Sequence, residues 1–218
     1  MKTKNAVLMK MALESLSGKW GLAVGTYLVY TLIMGVFQIK YQDAPDIIAP
    51  IIITVSFSLS LIIGGPMALG LAAFSLSLSR NQNARFEQLF SGFKNFGVSL
   101  GAYLLMTLFI FLWALLLIIP GIIAAISYSM TFYILADDRS IGAMAAIDKS
   151  KKMMYGYKWK YFCLNCRFIG WFFLCILTLG IGFLWLIPYI HVSMAKFYDD
   201  VKENALTLED MPIQPVIE

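Results

Sequence analysis

Residues 95–136 read NFGVSLGAYLLMTLFIFLWALLLIIPGIIAAISYSMTFYILA, 42 positions without one charged side chain. A bilayer core about 30 Å thick takes about 20 apolar residues per helix, so the stretch holds two spans. Pro120-Gly121, near its middle, predicts the turn between them. A soluble domain folded around such a segment would leave a large apolar face in water. The chain therefore reads as an integral membrane protein.

The same pattern recurs on either side. Of the 218 residues 60% are hydrophobic and only 14% charged, outside the usual range for soluble domains. The charges gather between further uncharged runs at residues 20–39, 47–79 and 168–195. The first is one span. The last suits a hairpin whose first helix begins near Trp159, which places Arg167 inside the membrane. Residues 47–79 are interrupted by Gly64-Gly65-Pro66. They predict one long, kinked helix, because a split leaves a second piece of about 14 residues, a re-entrant segment too short to cross upright. Pro and Gly are tolerated in spans whose neighbours satisfy the freed backbone groups. The sum is six spans.

Basic residues then set the orientation. With the N-terminus inside, cytoplasmic segments hold 15 of the 17 Lys and Arg residues; Lys40 lies outside with Asp43 and Asp46, and Arg167 is buried. Both termini are expected in the cytoplasm. The net charge of +4 then expresses topology, and no nucleic-acid partner is needed to account for it. The first apolar run lacks a small-x-small cleavage site and is expected to be retained.

The chain also repeats itself. Residues 20–32 (WGLAVGTYLVYTL) align with 96–108 (FGVSLGAYLLMTL), with six of the thirteen positions identical. An amphipathic stripe precedes each copy: Val7, Leu8, Met11 and Leu16 before the first, Phe86, Leu89, Phe90 and Phe93 before the second. A fainter third stripe holds Met144, Ile147 and Met154, interrupted by Lys151, and leads through Gly156-Tyr-Lys-Trp159 into span five. The expected fold is an all-α polytopic membrane helical bundle, six transmembrane helices with three interfacial amphipathic helices as a threefold pseudo-repeat. Its units lie at about 4–80, 81–138 and 139–200 of a single domain over 1–204, followed by a flexible acidic tail at 205–218. Gly21-x-x-x-Gly25 and Gly97-x-x-x-Gly101 allow close helix contact, and the repeat favours packing within the chain over self-association.

Chemistry is sparse. Arg167, Asn165 and the sole histidine, His191, form a candidate intramembrane polar site, since ionisable groups in a span are costly and often mark a path or a partner. The bland readings are an arginine that snorkels to the interface and a histidine bonded between helices. Lys149, Lys151, Lys152, Lys158 and Lys160 form a candidate contact for anionic lipid headgroups, against a background of ordinary positive-inside charge. Asp137-Asp138 is expected to cap the helix that follows. Cys163, Cys166 and Cys175 sit in span five with no second pair or nearby histidine to complete a metal site, and read as small packing residues. With no phosphate loop, nucleophile elbow or metal motif, no catalytic residue and no cofactor is expected.

Several segments resemble the bacterial membrane-protein family labelled domain of unknown function 975. They are Gly65-Pro66-Met-Ala-Leu-Gly70, residues 113–121 (WALLLIIPG), 128–137 (YSMTFYILAD), 150–159 (SKKMMYGYKW), Phe168-Ile-Gly-Trp171 and 177–189 (LTLGIGFLWLIPY). The resemblance implies a multi-pass protein of the bacterial cytoplasmic membrane, and it carries no established activity or site residues. The leading expectation is a non-enzymatic membrane protein acting on lipids, envelope homeostasis or partner proteins. Its partners would be membrane lipids and, secondarily, a second copy or another membrane protein. The alternative is a transporter or channel for a small or amphipathic solute.

Overall fold

The computed structural model describes residues 3–36 and 49–209, and among them every regular element is helical. In order these are α1 (Asn5–Leu16), α2 (Trp20–Val36), α3 (Ala49–Ser79), a 3-10 segment (Phe86–Asn95), α4 (Phe96–Leu116), α5 (Ile118–Tyr128), α6 (Thr131–Asp137), α7 (Ala143–Met153), α8 (Lys158–Leu177) and α9 (Phe183–Glu209). Lys40, Asp43 and Asp46, assigned above to the first external loop, lie outside the described residues, as does the tail beyond Glu209. Four stretches are long and apolar enough to cross a membrane: Pro50–Ser79, Phe86–Leu116, Ile118–Asp137 and Lys158–Leu177. The pair α1 and α2, bent by 99°, makes a fifth if it counts as one span. The apolar part of α9 ends at Lys196, short of a full span by length and composition.

The centre of the fold is α3. It runs 31 residues without a break through Pro66, as the interrupted apolar run predicts. Its first half is open, with Ile51, Ile53 and Phe57 exposed. From Gly64 onward nearly every position is buried, against the 3-10 segment, α4, α6 and α9. Backbone touches backbone there. A Cβ on Gly65 would lie 2.6 Å from the Ser99 carbonyl oxygen; one on Gly70 or Gly92 would collide with the carbonyl oxygen of Leu89 or Pro66.

The stripe at residues 86–93 forms a 3-10 helix rather than the expected α-helix. Its repeat of three residues aligns Phe86, Leu89 and Gly92 in one row, and Leu89 and Gly92 are buried against α3. Phe90 and Phe93 fall in the next row and stay exposed. In α1 the buried row is Leu8, Ala12 and Leu16, spaced by four, while Val7 and Met11 of the expected stripe are exposed. Gly18, at φ +75°, turns the chain from α1 into α2.

The turn of the 95–136 hairpin falls at Leu117, three residues before Pro120. Pro120 sits in the first turn of α5, where its missing N–H has no helical partner to lose. Gly121 packs on Ala114, 2.8 Å from where its Cβ would be, and so closes the two legs. Between α5 and α6 the second leg is interrupted, and α7 repairs the break. The Ser150 hydroxyl donates to the Ser127 carbonyl (2.8 Å) and accepts from the Met130 N–H (3.2 Å). Gly21, Gly25 and Gly97, expected to pack within the chain, face open space, and Gly101 alone of the four meets a neighbour, Ala143.

These contacts predict opposite outcomes for two helical glycines. Gly70→Ala forces α3 away from the 3-10 segment and costs about 1–3 kcal/mol. Gly97→Ala meets nothing within 4 Å and gains up to about 1 kcal/mol of helix propensity. Thermal unfolding of the purified protein in detergent checks both, with a lower midpoint expected for the first and an equal or higher one for the second.

Candidate functional site

Polar side chains collect where α3 ends. Arg80, the residue after α3, donates through Nε and Nη2 to Asp199 of α9 (Nη2 to Oδ1, 2.7 Å) and through Nη1 to Asp137 of α6 (2.6 Å). The second Asp137 oxygen accepts from the Tyr198 hydroxyl (3.0 Å) and the Lys202 ammonium. The Ser79 hydroxyl donates to Asp199 (3.2 Å), and its carbonyl accepts from Lys196 and from the Ser15 hydroxyl of α1. Hydrogen bonding to Asp199, opposed by burial and reinforced by Asp137, holds the Arg80 guanidinium charged more firmly than usual. Burial, followed by the Asp137 carboxylate, raises the Tyr198 phenol.

A second clasp lies beside it. Lys160 of α8 pairs with Asp200 (3.4 Å), which also accepts from the Thr3 hydroxyl (2.7 Å). Asn5 of α1 donates to the Lys160 carbonyl (3.0 Å). Both clasps leave their charges paired, so they suit anchoring of α1, α3, α6, α8 and α9 to one another rather than attack on a substrate. The two acids of 137–138 separate in role. Asp138 makes the expected local turn, accepting from the Ser140 N–H (3.0 Å) and hydroxyl (2.6 Å), which lowers its carboxyl from the usual range. Asp137 turns inward to Arg80. Asp199 and Asp200 of α9 are its structural counterparts.

Asn165, Arg167 and His191 do not join in one hydrogen-bonded group among the described residues. Asn165 is exposed on α8 and donates to the Tyr161 carbonyl one turn back (2.9 Å); Arg167 is exposed on the same helix. His191 is half-buried on α9, its ring 5.1 Å from that of Tyr27, and its carbonyl accepts from the Tyr133 hydroxyl (3.2 Å). Tyr133 in turn stacks on Tyr198, which links His191 to the Arg80 clasp. Cys163, Cys166 and Cys175 are free thiols on α8.

The lysine group sorts into distinct environments. Lys160 belongs to the second clasp. Lys149 is exposed within electrostatic reach of Asp138. Lys151 and Lys152 are exposed at the end of α7, and Lys158 is half-buried at the first position of α8. Among the described residues none of these four forms an ion pair. Elsewhere an apolar cleft of about 350 Å³ runs between α1, the start of α2, α8 and α9, lined by Leu13, Trp20, Trp171, Trp185 and Tyr189.

Arg80 could have been found in the sequence from one signal: an isolated arginine closing a long uncharged run must find a counter-charge or remain poorly solvated at the helix end. Its partners, 57 and 119 residues away, could not. Arg80→Gln leaves Asp137 and Asp199 underpaired and is expected to cost about 2 kcal/mol, after allowance for partial exposure. The unfolding midpoint should fall by roughly 4–8 °C, and Asp199→Asn added to it should cost little more, because the shared interaction is already gone.

The model of a family described as a protein of unknown function (DUF975) matches residues 1–127 and 115–205. No curated protein and no solved structure matches the chain. The matched segments together reach from the first residue to the last turns of α9, and the chain belongs to the DUF975 family.

Proposed function

We propose that the chain is a non-enzymatic, multi-pass protein of the bacterial cytoplasmic membrane that engages anionic lipids through its cytoplasmic face, in a role in envelope homeostasis. The observation that carries this reading is the division of its charges. Arg80, Lys160, Lys196 and Lys202 are spent on internal partners. Lys149, Lys151, Lys152 and Lys158 stand together without an ion pair among the described residues. Cations kept free beside a bilayer suit anionic headgroups, at about 1 kcal/mol each.

In this reading α2, α3, α4, α5 with α6 and α8 make five crossings, and α9, whose apolar part is short of a full span by itself, makes the sixth together with the uncharged turn that precedes it. A short helical segment precedes α2, α4 and α8, which supports three related units. Both termini then face the cytoplasm with the lysines. The transport alternative draws less support, because Asn165 and Arg167 open onto the outside of α8 while His191 packs beneath Tyr27.

Two measurements test the proposal. A green fluorescent protein fused at the C-terminus is expected to fluoresce and an alkaline phosphatase fused there to be inactive; the reverse pair of results removes the six-span arrangement. In nanodiscs containing equal phosphatidylglycerol and phosphatidylcholine, native mass spectrometry is expected to find phosphatidylglycerol retained preferentially. Equal retention of the two lipids would sink the lipid reading.

A further inference from the structure

The geometry points to a discrete binding site for one anionic phospholipid, with its phosphate held by Lys151 and Lys158 and an acyl chain in the cleft behind them. This inference rests on the lipid reading above and narrows it from a basic surface to a built site. The cleft has a volume of about 220 Å³ and lies where the α4–α5 hairpin meets α7 and α8. Its inner lining is apolar: Trp113, Pro120, Ile123 and Ala124. Ser127 also borders it, but its hydroxyl is already donated to the Ile123 carbonyl (2.7 Å). Two lysines of the group, Lys151 and Lys158, line the same cleft.

Three independent features place a negative headgroup at those lysines. Neither ammonium forms an ion pair among the described residues, whereas Lys160 is tied to Asp200 and Lys149 lies within electrostatic reach of Asp138. Lys158 is the first residue of α8, and no side chain caps that helix. Its first-turn N–H groups and the positive end of the helix dipole therefore favour an anion beside the ammonium. Finally, Lys151 is exposed at the end of α7, off the buried face formed by Ala146, Ile147, Ser150 and Met153, and it is on that exposed side that it borders the cleft. The long lysine stems lie along apolar surface while their charged heads reach the headgroup level.

The two halves of the site call for an amphiphile with both parts. A soluble anion would leave the apolar trough unfilled, and a neutral lipid would leave two ammonium groups unpaired. An anionic phospholipid such as phosphatidylglycerol meets both demands.

The test uses the full chain in nanodiscs of mixed phosphatidylglycerol and phosphatidylcholine, with retained lipids counted by native mass spectrometry. Lys151→Gln with Lys158→Gln is expected to weaken phosphatidylglycerol retention about tenfold or more, by the loss of two charges near the headgroup. Lys149→Gln with Lys152→Gln, which removes the same charge outside the cleft, should leave retention within about twofold. Ile123→Trp, which fills the trough without touching a lysine, should also weaken it about tenfold. Equal losses from the two lysine pairs, or no effect of Ile123→Trp in a protein that retains its unfolding midpoint, overturn the site and leave the broader basic-face reading standing. Should Ile123→Trp fail to fold, the comparison of the lysine pairs decides alone, since none of those four side chains forms an ion pair among the described residues. Indifference of the wild type to headgroup charge overturns the site and the broader reading together.

Discussion

The backbone crossing of α3 and the segment after it sets the geometry of the whole bundle. The carbonyl of Pro66 rests on Gly92, and the carbonyl of Leu89 rests on Gly70. In lipid there is no hydrophobic drive between helices, so association depends on close van der Waals contact, which glycine permits and any larger residue prevents. With that crossing in place, the second half of α3 is enclosed by α4, α6 and α9.

Close packing orients α3, and charge fixes where its end stops. Arg80 emerges from the enclosed half and meets carboxylates from two other helices, so α3, α6 and α9 are held at a common level. The partners lie at the boundary, where side chains are 12–29% exposed, so their desolvation is incomplete and the Coulombic gain is not consumed by it. The second clasp does the same for α1 and α8 through Lys160 and Asp200. Helices that share little apolar area can in this way be tied at one end and remain free at the other, as the exposed first half of α3 and the open Leu117 tip are.

Much of this was legible in the sequence, and the failures have physical causes. Uncharged length located the apolar helices, and a single helix through Gly64-Gly65-Pro66 followed from span length alone. The hairpin turn was displaced from Pro120 to Leu117 because proline costs nothing in the first turn of a helix, so it marks a start as readily as a break. Small-residue spacing pointed to Gly21, Gly25, Gly97 and Gly101, of which Gly101 alone meets a neighbour, while the closest backbone approaches use Gly70, Gly92 and Gly121. A spacing rule identifies a face that permits approach but does not say which face is approached. The stripe 86–93 has a helical period that does not by itself separate 3.0 from 3.6 residues per turn over so short a run. Asn165, Arg167 and His191 could be named from their chemistry, yet their relative placement depends on how α8 and α9 are rotated, which one sequence does not encode locally. The Arg80 clasp joins residues far apart in the chain, so only the fold assembles it.

The lysines show why pairing is more informative than number. Counting basic residues near α7 gives five equal members of a patch. Geometry divides them: Lys160 closes a clasp between helices, Lys149 lies within electrostatic reach of Asp138, Lys152 is exposed, and Lys151 and Lys158 border an apolar trough. A charge that anchors helices is accounted for by the fold it maintains. A charge without an ion pair among the described residues, at the border of an apolar cleft, is not. This is why the proposed lipid site rests on Lys151 and Lys158: beside a bilayer, an unpaired cation bordering an apolar cleft suits a molecule that carries an anion and a hydrocarbon chain together.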